Sequence, residues 1–173
     1  GDGGAVVTSD AKVAENVRKL ADHGCLNKYE HEQPGFNSRL DSIQAAVLNV
    51  KLKYIDDWTK RRREIARFYN EVFAQISEVI TPKESSWAEA VYHLYVVQVP
   101  NRDIVKQKLN AAGIGAGIHY PIALHLQKAY GFLNLKKGSY PVSEKAAESV
   151  LSLPNYPEMT DEMVEYVVEK VKE

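Results

Sequence analysis

Hydrophobic residues recur at steps of three and four over much of this chain, the spacing of one face of an α-helix. Ser9 or Asp10 precedes the first such stretch as a helix N-cap, so we predict a helix over residues 11–21. Residues 38–76 contain neither glycine nor proline, and the same spacing there predicts one long helix or two nearly collinear helices. A helix of that length is unusual in a compact domain, which indicates that it bridges two domains or two subunits.

The second half of the chain alternates between strand and helix patterns. Valine and tyrosine are concentrated at residues 91–99, as in strands. Asn101 is placed to cap a helix that runs through Ala112 and ends at Gly113. Further predicted elements are strands over 5–8 and 114–118 and helices over 141–151 and 160–172. The alternation predicts an α/β or α+β domain.

A loop over residues 23–36 shows no helix or strand period, and its length indicates a function beyond connection. It leads into Asn37, Ser38 and Arg39 at the predicted helix start. Asn37 or Ser38 can cap the helix there, with Asp41 favouring the positive end of its dipole. The same physics allows a second interpretation, because free N–H groups and a helix dipole bind phosphate. Asn37, Ser38 and Arg39 are compatible with both a helix cap and a phosphate-binding site.

A second candidate site groups His119, Tyr120 and His125 in a loop bounded by glycine and proline. Imidazole and phenol groups donate hydrogen bonds, and histidine can carry charge near pH 7, so a polar or anionic ligand is favoured. Two histidines six residues apart, without a nearby cysteine or carboxylate, give little support to a metal site. We therefore predict no metal.

Charge and composition narrow the classes of function. The net charge of −1 provides no field that would attract nucleic acid or an anionic membrane. No apolar run reaches the roughly 20 residues that cross a bilayer. The single cysteine, Cys25, excludes an internal disulfide and is typical of a reducing compartment, so we expect a cytoplasmic protein. Arg61, Arg62 and Arg63, flanked by acidic residues, predict a solvated helix face.

The order of the motifs carries more information than any one of them. In sequence they read GDGGAVV, HG, GFNSRLDSIQAAVLNVKL, YHLYVVQV, GIHYPIALHLQKAY and LSLPNYPEM. This series resembles the DegT/DnrJ/EryC1/StrS family of sugar-nucleotide aminotransferases, which use pyridoxal 5′-phosphate (PLP) and have fold type I. The resemblance covers nearly the whole chain.

The resemblance implies a domain organisation and a missing catalytic group. Residues 1–37 would be the tail end of the large PLP-binding domain, 38–76 the bridging helix and 77–173 a small C-terminal α/β domain. In the family, the lysine that forms the Schiff base with PLP lies a few residues before the GDGG turn. We therefore expect no catalytic lysine in this chain and no activity from the chain alone.

The resemblance also implies roles for the candidate residues. Asn37 would reach the PLP phosphate of the other subunit in a homodimer, with Ser38 and Arg39 beside it. His119 and Tyr120 would contact the nucleotide sugar, with His125 close by.

The implied reaction moves an amino group, usually from glutamate, to a keto group of a nucleotide-linked sugar, for amino-sugar and polysaccharide synthesis such as lipopolysaccharide. The Asn-Ser-Arg-Leu-Asp run favours a 3-keto sugar. The alternative is a truncated, non-catalytic module that binds a ligand or dimerises.

Overall fold

The computed structural model describes residues 4–173, so most of the GDGG turn lies outside the described residues. The chain divides into two compact units, of which the first ends at Ile55 and the second covers Asp56–Glu173. The predicted domain boundaries at residues 37 and 76 stay predictions.

The first unit contains two helices joined by a long loop. Helix α1 (Ala11–Ala21) follows Asp10, whose carboxylate accepts hydrogen bonds from the N–H groups of Lys12 (2.8 Å) and Val13 (3.3 Å). This confirms the predicted helix and cap. Residues 5–8 form no strand, because no neighbouring strand pairs with them in the described chain. Helix α2 (Ser42–Leu52) follows the loop and begins four residues after the predicted start at residue 38.

The stretch predicted as one long helix is divided into two. Helix α2 ends at Leu52, and helix α3 (Ile55–Phe73) begins three residues later. The N–H groups of Lys53 and Tyr54 donate to carbonyls three residues back, at 3.3 and 3.0 Å, so a 3₁₀-type turn interrupts the α-helical bonding between α2 and α3. The single-helix alternative is therefore wrong, and a bridging role for this segment stays a prediction.

The second unit is built on a two-stranded antiparallel sheet. Strand β1 (Tyr95–Gln98) lies inside the predicted strand at 91–99 and pairs with strand β2 (Val150–Leu153). Strand β2 was not predicted, because residues 150 and 151 were assigned to the end of a helix. Helix α5 (Pro141–Ser149) instead stops at Ser149, and the apolar residues after it are extended and bond to β1.

Two further helices of the second unit lie close to their predicted positions. Helix α4 (Arg102–Ala111) ends before Gly113, and helix α6 (Asp161–Lys172) is capped by the Thr160 hydroxyl, which accepts from the Met163 N–H at 3.3 Å. The strand predicted over 114–118 is reduced to one bridge, in which Gly117 and Ser152 exchange backbone hydrogen bonds of 3.0 and 2.8 Å.

The second unit has a hydrophobic core of its own. Tyr69 and Phe73 of α3 are fully buried and stack with 5.5 Å between ring centroids, and Tyr95 of β1 packs against Tyr69. The Tyr69 hydroxyl donates to the Pro154 carbonyl (3.0 Å), and burial raises the pKa of both tyrosines above the usual value. Aliphatic side chains from β1, β2, α4 and α6 complete this core.

The basic run on α3 contributes to the stability of this unit. Arg61 donates to the Met159 carbonyl (2.7 Å) and to Asp161 (2.8 Å). Arg62 and Arg63 likewise donate to carbonyls of other segments, and all three side chains are partly buried. The prediction of a solvated face is therefore wrong, because each guanidinium spans between α3 and a loop whose carbonyls need donors.

Candidate functional site

The first candidate site is an exposed segment directly before α2. Asn37 is exposed, and its Oδ1 accepts a hydrogen bond from Arg39 Nε at 3.3 Å. Arg39 also lies 3.8 Å from Asp22, and the Ser38 N–H donates to the Ala21 carbonyl at 2.9 Å. Among the described residues, the Asn37 amide nitrogen has no hydrogen-bond partner. An amide, a hydroxyl and a guanidinium are therefore presented together, a donor set that suits an anionic group.

The helix cap is supplied by another residue. Asp41 is the N-cap of α2, and its backbone N–H donates to the side chain of Gln44 at 3.1 Å. Asn37 lies four residues before this cap. The prediction that Asn37 or Ser38 caps the helix is therefore wrong, while the phosphate-binding prediction stays a prediction.

The loop before Asn37 is held against the end of α1. The last carbonyls of α1 accept hydrogen bonds from Gly24 (2.7 Å), Phe36 (2.7 Å) and Ser38 (2.9 Å), and Asp22 forms a bridge with Asn37. The loop therefore satisfies the carbonyls that a helix C-terminus leaves without partners and fixes the position of Asn37.

Gly24 makes this arrangement possible. It has a positive φ of +83°, and a Cβ atom at this position would lie 1.6 Å from the Gln33 carbonyl oxygen. Gly24 is also the only buried residue of the described part of the first unit. No side chain is accommodated at this position without opening the loop.

The second candidate site is a cavity of about 440 Å³ in the second unit. Tyr120 is 71% exposed and forms part of its wall, and its ring meets the His119 ring edge-on with 5.4 Å between centroids. Helix α5 supplies the opposite wall. The lining residues are His119, Tyr120, Ile122, Ala123, Leu124, Gln127, Ser143, Ala146, Ala147 and Val150. The cavity combines an apolar wall with a few polar side chains, as small-molecule sites do.

His119 is fixed to strand β2. Its Nδ1 lies 2.8 Å from the hydroxyl of Ser152, which is buried. Gly117 permits this approach, since a Cβ atom on it would lie 3.0 Å from the His119 ring. The hydrogen bond orients the imidazole at the edge of the cavity.

His125 differs from its two neighbours. Its side chain is only 7% exposed, it is not among the residues that line the cavity, and its Nε2 lies 2.9 Å from a carboxylate oxygen of Glu144. The Tyr140 ring packs edge-on against the imidazole at 4.9 Å. The structure therefore brings His119 and Tyr120 to one cavity and places His125 behind it.

Several residues of these sites were not identified from the sequence. Ser152 and Glu144 bond to histidines 33 and 19 residues away, and Gly24 lies against the backbone of Gln33, so no local spacing marks these residues. Gly24 alone had a signal, because it belongs to the His-Gly motif. Asn37–Arg39 and the cavity belong to different units of the chain.

Within residues 4–173, neither a cluster of metal-ligating side chains nor a membrane-spanning helix is present. No group of three or more histidine, cysteine, aspartate or glutamate side chains in this range is arranged to hold a metal ion. None of its helices combines the length and apolar character needed to cross a bilayer.

The chain matches a known family of enzymes along nearly its whole length. Residues 1–172 match the profile of the DegT/DnrJ/EryC1/StrS aminotransferase family, and the chain belongs to that family. This confirms the resemblance that the ordered motifs indicated.

Individual relatives show how much of such a protein the chain represents. It is 44% identical over 172 residues to the erythromycin biosynthesis sensory transduction protein EryC1 of Saccharopolyspora erythraea, covering 99% of this chain and 47% of that protein. It is 40% identical over 173 residues to the dTDP-3-amino-3,4,6-trideoxy-alpha-D-glucose transaminase of Streptomyces venezuelae, covering 100% and 46%.

A solved structure gives the same proportion. The crystal structure of S. venezuelae DesV in complex with a ketimine intermediate superposes with a TM-score of 0.91 at 37% identity, covering 96% of this chain and 45% of that one. The α/β fold expected of the C-terminal part of a fold type I aminotransferase is thereby confirmed. The chain spans about half the length of the relatives it matches.

Proposed function

We propose that this chain is the C-terminal part of a PLP-dependent aminotransferase that transfers an amino group, from glutamate, to a keto group of a nucleotide-linked sugar. The observation that carries the proposal is the family match along nearly the whole chain. The name of the S. venezuelae relative specifies a 3-amino sugar, which supports a 3-keto sugar as the acceptor.

The residues of the first site fit the phosphate group of PLP. Phosphate requires hydrogen-bond donors and positive charge, and Asn37, Ser38 and Arg39 offer an amide, a hydroxyl and a guanidinium on an exposed segment. When bound, PLP supplies an electron sink for breaking and forming bonds at the amino-bearing carbon. Asn37 would hold the phosphate, and Arg39 would both balance its charge and orient the Asn37 amide.

The cavity residues would bind the nucleotide sugar. Tyr120 presents an exposed ring and hydroxyl, and His119 has its Nε2 free to face a ligand once Nδ1 is engaged by Ser152. The apolar side chains of the same wall would exclude water from the sugar. In this proposal His119 and Tyr120 orient the acceptor, while proton transfer and Schiff-base formation belong to a lysine outside this chain.

The surface of the first unit supports an assembly in which the phosphate site is shared. No side chain of α1 or α2 is buried within the chain, and Ile43 is 80% exposed among several exposed aliphatic residues of α2. Apolar surface of this extent is typical of an interface. We propose a homodimer in which a second subunit covers this face and receives Asn37.

An amino-transfer assay on the complete protein tests the function. Purified enzyme, PLP and glutamate are incubated with a keto nucleotide sugar, and the product is followed by mass spectrometry together with 2-oxoglutarate formation. We expect both products in equal amounts. Ligand binding without turnover by the complete protein would instead support the non-catalytic alternative.

A second measurement uses the chain alone. After incubation with PLP and reduction with borohydride, we expect no single lysine of the 173-residue chain to be modified stoichiometrically, since the Schiff-base lysine is proposed to lie outside it. Stoichiometric modification of one lysine with turnover would contradict that part of the proposal.

A further inference from the structure

The carboxylate of Glu144 joins three segments next to the cavity. Glu144 lies in the first turn of α5, and its side chain is only 9% exposed. Both of its oxygens accept from the Gly138 N–H at 2.8 Å, and one also accepts from the Tyr140 N–H at 3.3 Å. These hydrogen bonds stabilise the ionised carboxylate and hold the pKa of Glu144 below its usual value, and the bond from Gly138 contributes most. A buried carboxylate with several donors fixes the groups around it.

His125 attaches the cavity wall to this carboxylate. It lies in the short 3₁₀ turn Leu124–Leu126, whose first residue belongs to the cavity wall, and its Nε2 lies 2.9 Å from Glu144. The Tyr140 ring covers its other side. Movement of His125 would therefore displace Leu124 and the residues before it.

The other end of the wall is attached separately. The hydrogen bond between His119 and Ser152 fixes the start of the segment to β2. Between the two attachments, the carbonyls of Ala123 and Leu124 accept from the N–H groups of Leu126 and Gln127. Within residues 4–173, no other backbone hydrogen bond holds residues 120–124. The positions of Tyr120 and of the wall therefore depend on the two attachments, at His119 and at His125.

We propose that His125 and Glu144 are a positioning pair that holds the cavity wall 120–124, and that contact with the nucleotide sugar is made by residues facing the cavity. Tyr120, Gln127 and Ser143 are the polar side chains there besides His119. The assignment of ligand contacts rests on the proposed function, whereas the positioning role concerns the chain itself.

Two amide substitutions separate the contribution of the two imidazole nitrogens. In His125→Gln the side-chain amide reaches about as far as Nε2 and can donate to Glu144, whereas in His125→Asn it reaches only about as far as Nδ1. His93→Asn, at an exposed histidine of the same unit, is the matched control.

Hydrogen–deuterium exchange on the 173-residue chain gives the first readout. We expect His125→Asn to raise exchange by about tenfold or more at the bonded amides of Leu126, Gln127, Gly138 and Tyr140, with β1 and β2 unchanged, because a hydrogen bond to a charged group is lost. His125→Gln and His93→Asn should remain close to the wild type. Equal exchange in the Asn and Gln variants, or faster exchange spread over the whole core, would overturn the positioning role.

Kinetics of the complete enzyme give the second readout. We expect His125→Asn to raise the KM for the nucleotide sugar by about tenfold, with the half-reaction with glutamate unchanged and with rescue by His125→Gln. Loss of sugar affinity in both variants without altered exchange would mean that His125 contacts the ligand, and the proposal would be wrong. An inactive wild-type enzyme would contradict the proposed function while leaving the exchange result to decide the positioning role.

Discussion

Replacing Gly24 with alanine should release the loop that positions Asn37. A Cβ atom there would lie 1.6 Å from the Gln33 carbonyl oxygen, far inside van der Waals contact and against backbone that cannot rotate away. The loop must therefore open, and its backbone hydrogen bonds are lost. The four affected bonds join His23 to Phe36, Glu32 to Gly24, Phe36 to Leu20 and Ser38 to Ala21, at 2.7–3.0 Å.

The size of the effect follows from these bonds. At about 0.5–1.5 kcal/mol each, four backbone hydrogen bonds correspond to about 2–6 kcal/mol of local stability. With about 1.4 kcal/mol per tenfold, the amide protons at 23, 32, 36 and 38 should lose protection by roughly 30-fold to 10⁴-fold. Hydrogen–deuterium exchange of the chain measures this directly, and the core of the second unit should be unaffected.

Gly113 provides the matched control. It has a similar positive φ of +79°, but a Cβ atom there meets nothing within 4 Å. Gly113→Ala therefore isolates the cost of the left-handed backbone, about 1–2 kcal/mol. The collision with Gln33 would be refuted if the loop amides of Gly24→Ala kept their protection. It would also be refuted if their loss of protection were no larger than the loss around residue 113 in Gly113→Ala.

Four further outcomes are expected. Asn37→Ala should lower the PLP affinity of the complete enzyme by about 10- to 100-fold in a cofactor titration. The melting temperature of the PLP-free enzyme should not change, because the cap of α2 is another residue. A lower melting temperature with unchanged affinity would contradict this prediction. Gly117→Ala should displace the His119 ring, seen as a changed histidine NMR signal and a higher KM for the sugar. Glu144→Gln should be less stable to urea than the wild type at neutral pH, and the difference should close as the pH falls below 4.5, because a carboxylate with a depressed pKa stabilises only while ionised. Ile43→Lys should weaken dimerisation of the complete enzyme in sedimentation experiments, whereas Val142→Lys at an equally exposed site should not.

Local signals in the sequence were sufficient for most helices. Asp10, Thr160 and Gly113 act on backbone groups within a few residues, so caps and stops can be read without knowing the fold. Strand β2 could not be read in this way. The same apolar residues suit a helix or a buried strand, and their pairing with β1, some 50 residues away, decides between them.

In the candidate sites, too, local motifs can be read from the sequence, whereas contacts between distant residues cannot. Asn37, His119 and Tyr120 could be proposed from the sequence because their motifs are contiguous, whereas the groups that orient them could not. Ser152 lies 33 residues from His119, and its choice of partner depends on how β2 is paired. The basic run was wrongly predicted for the same reason. The charges flanking Arg61 indicated a solvated face, whereas its partners Met159 and Asp161 lie 98 and 100 residues away.

The two units differ in whether they enclose their candidate site. The second unit buries its own core, and its cavity is formed by elements of that one unit. The first unit has a buried glycine but no buried side chain in either helix, while its phosphate-binding candidates lie on an exposed segment. We propose that a site with outward-facing donors on such a unit is completed by another chain segment or subunit. We therefore expect cofactor binding to depend on assembly, whereas the cavity lined by His119 and Tyr120 should persist in the chain alone.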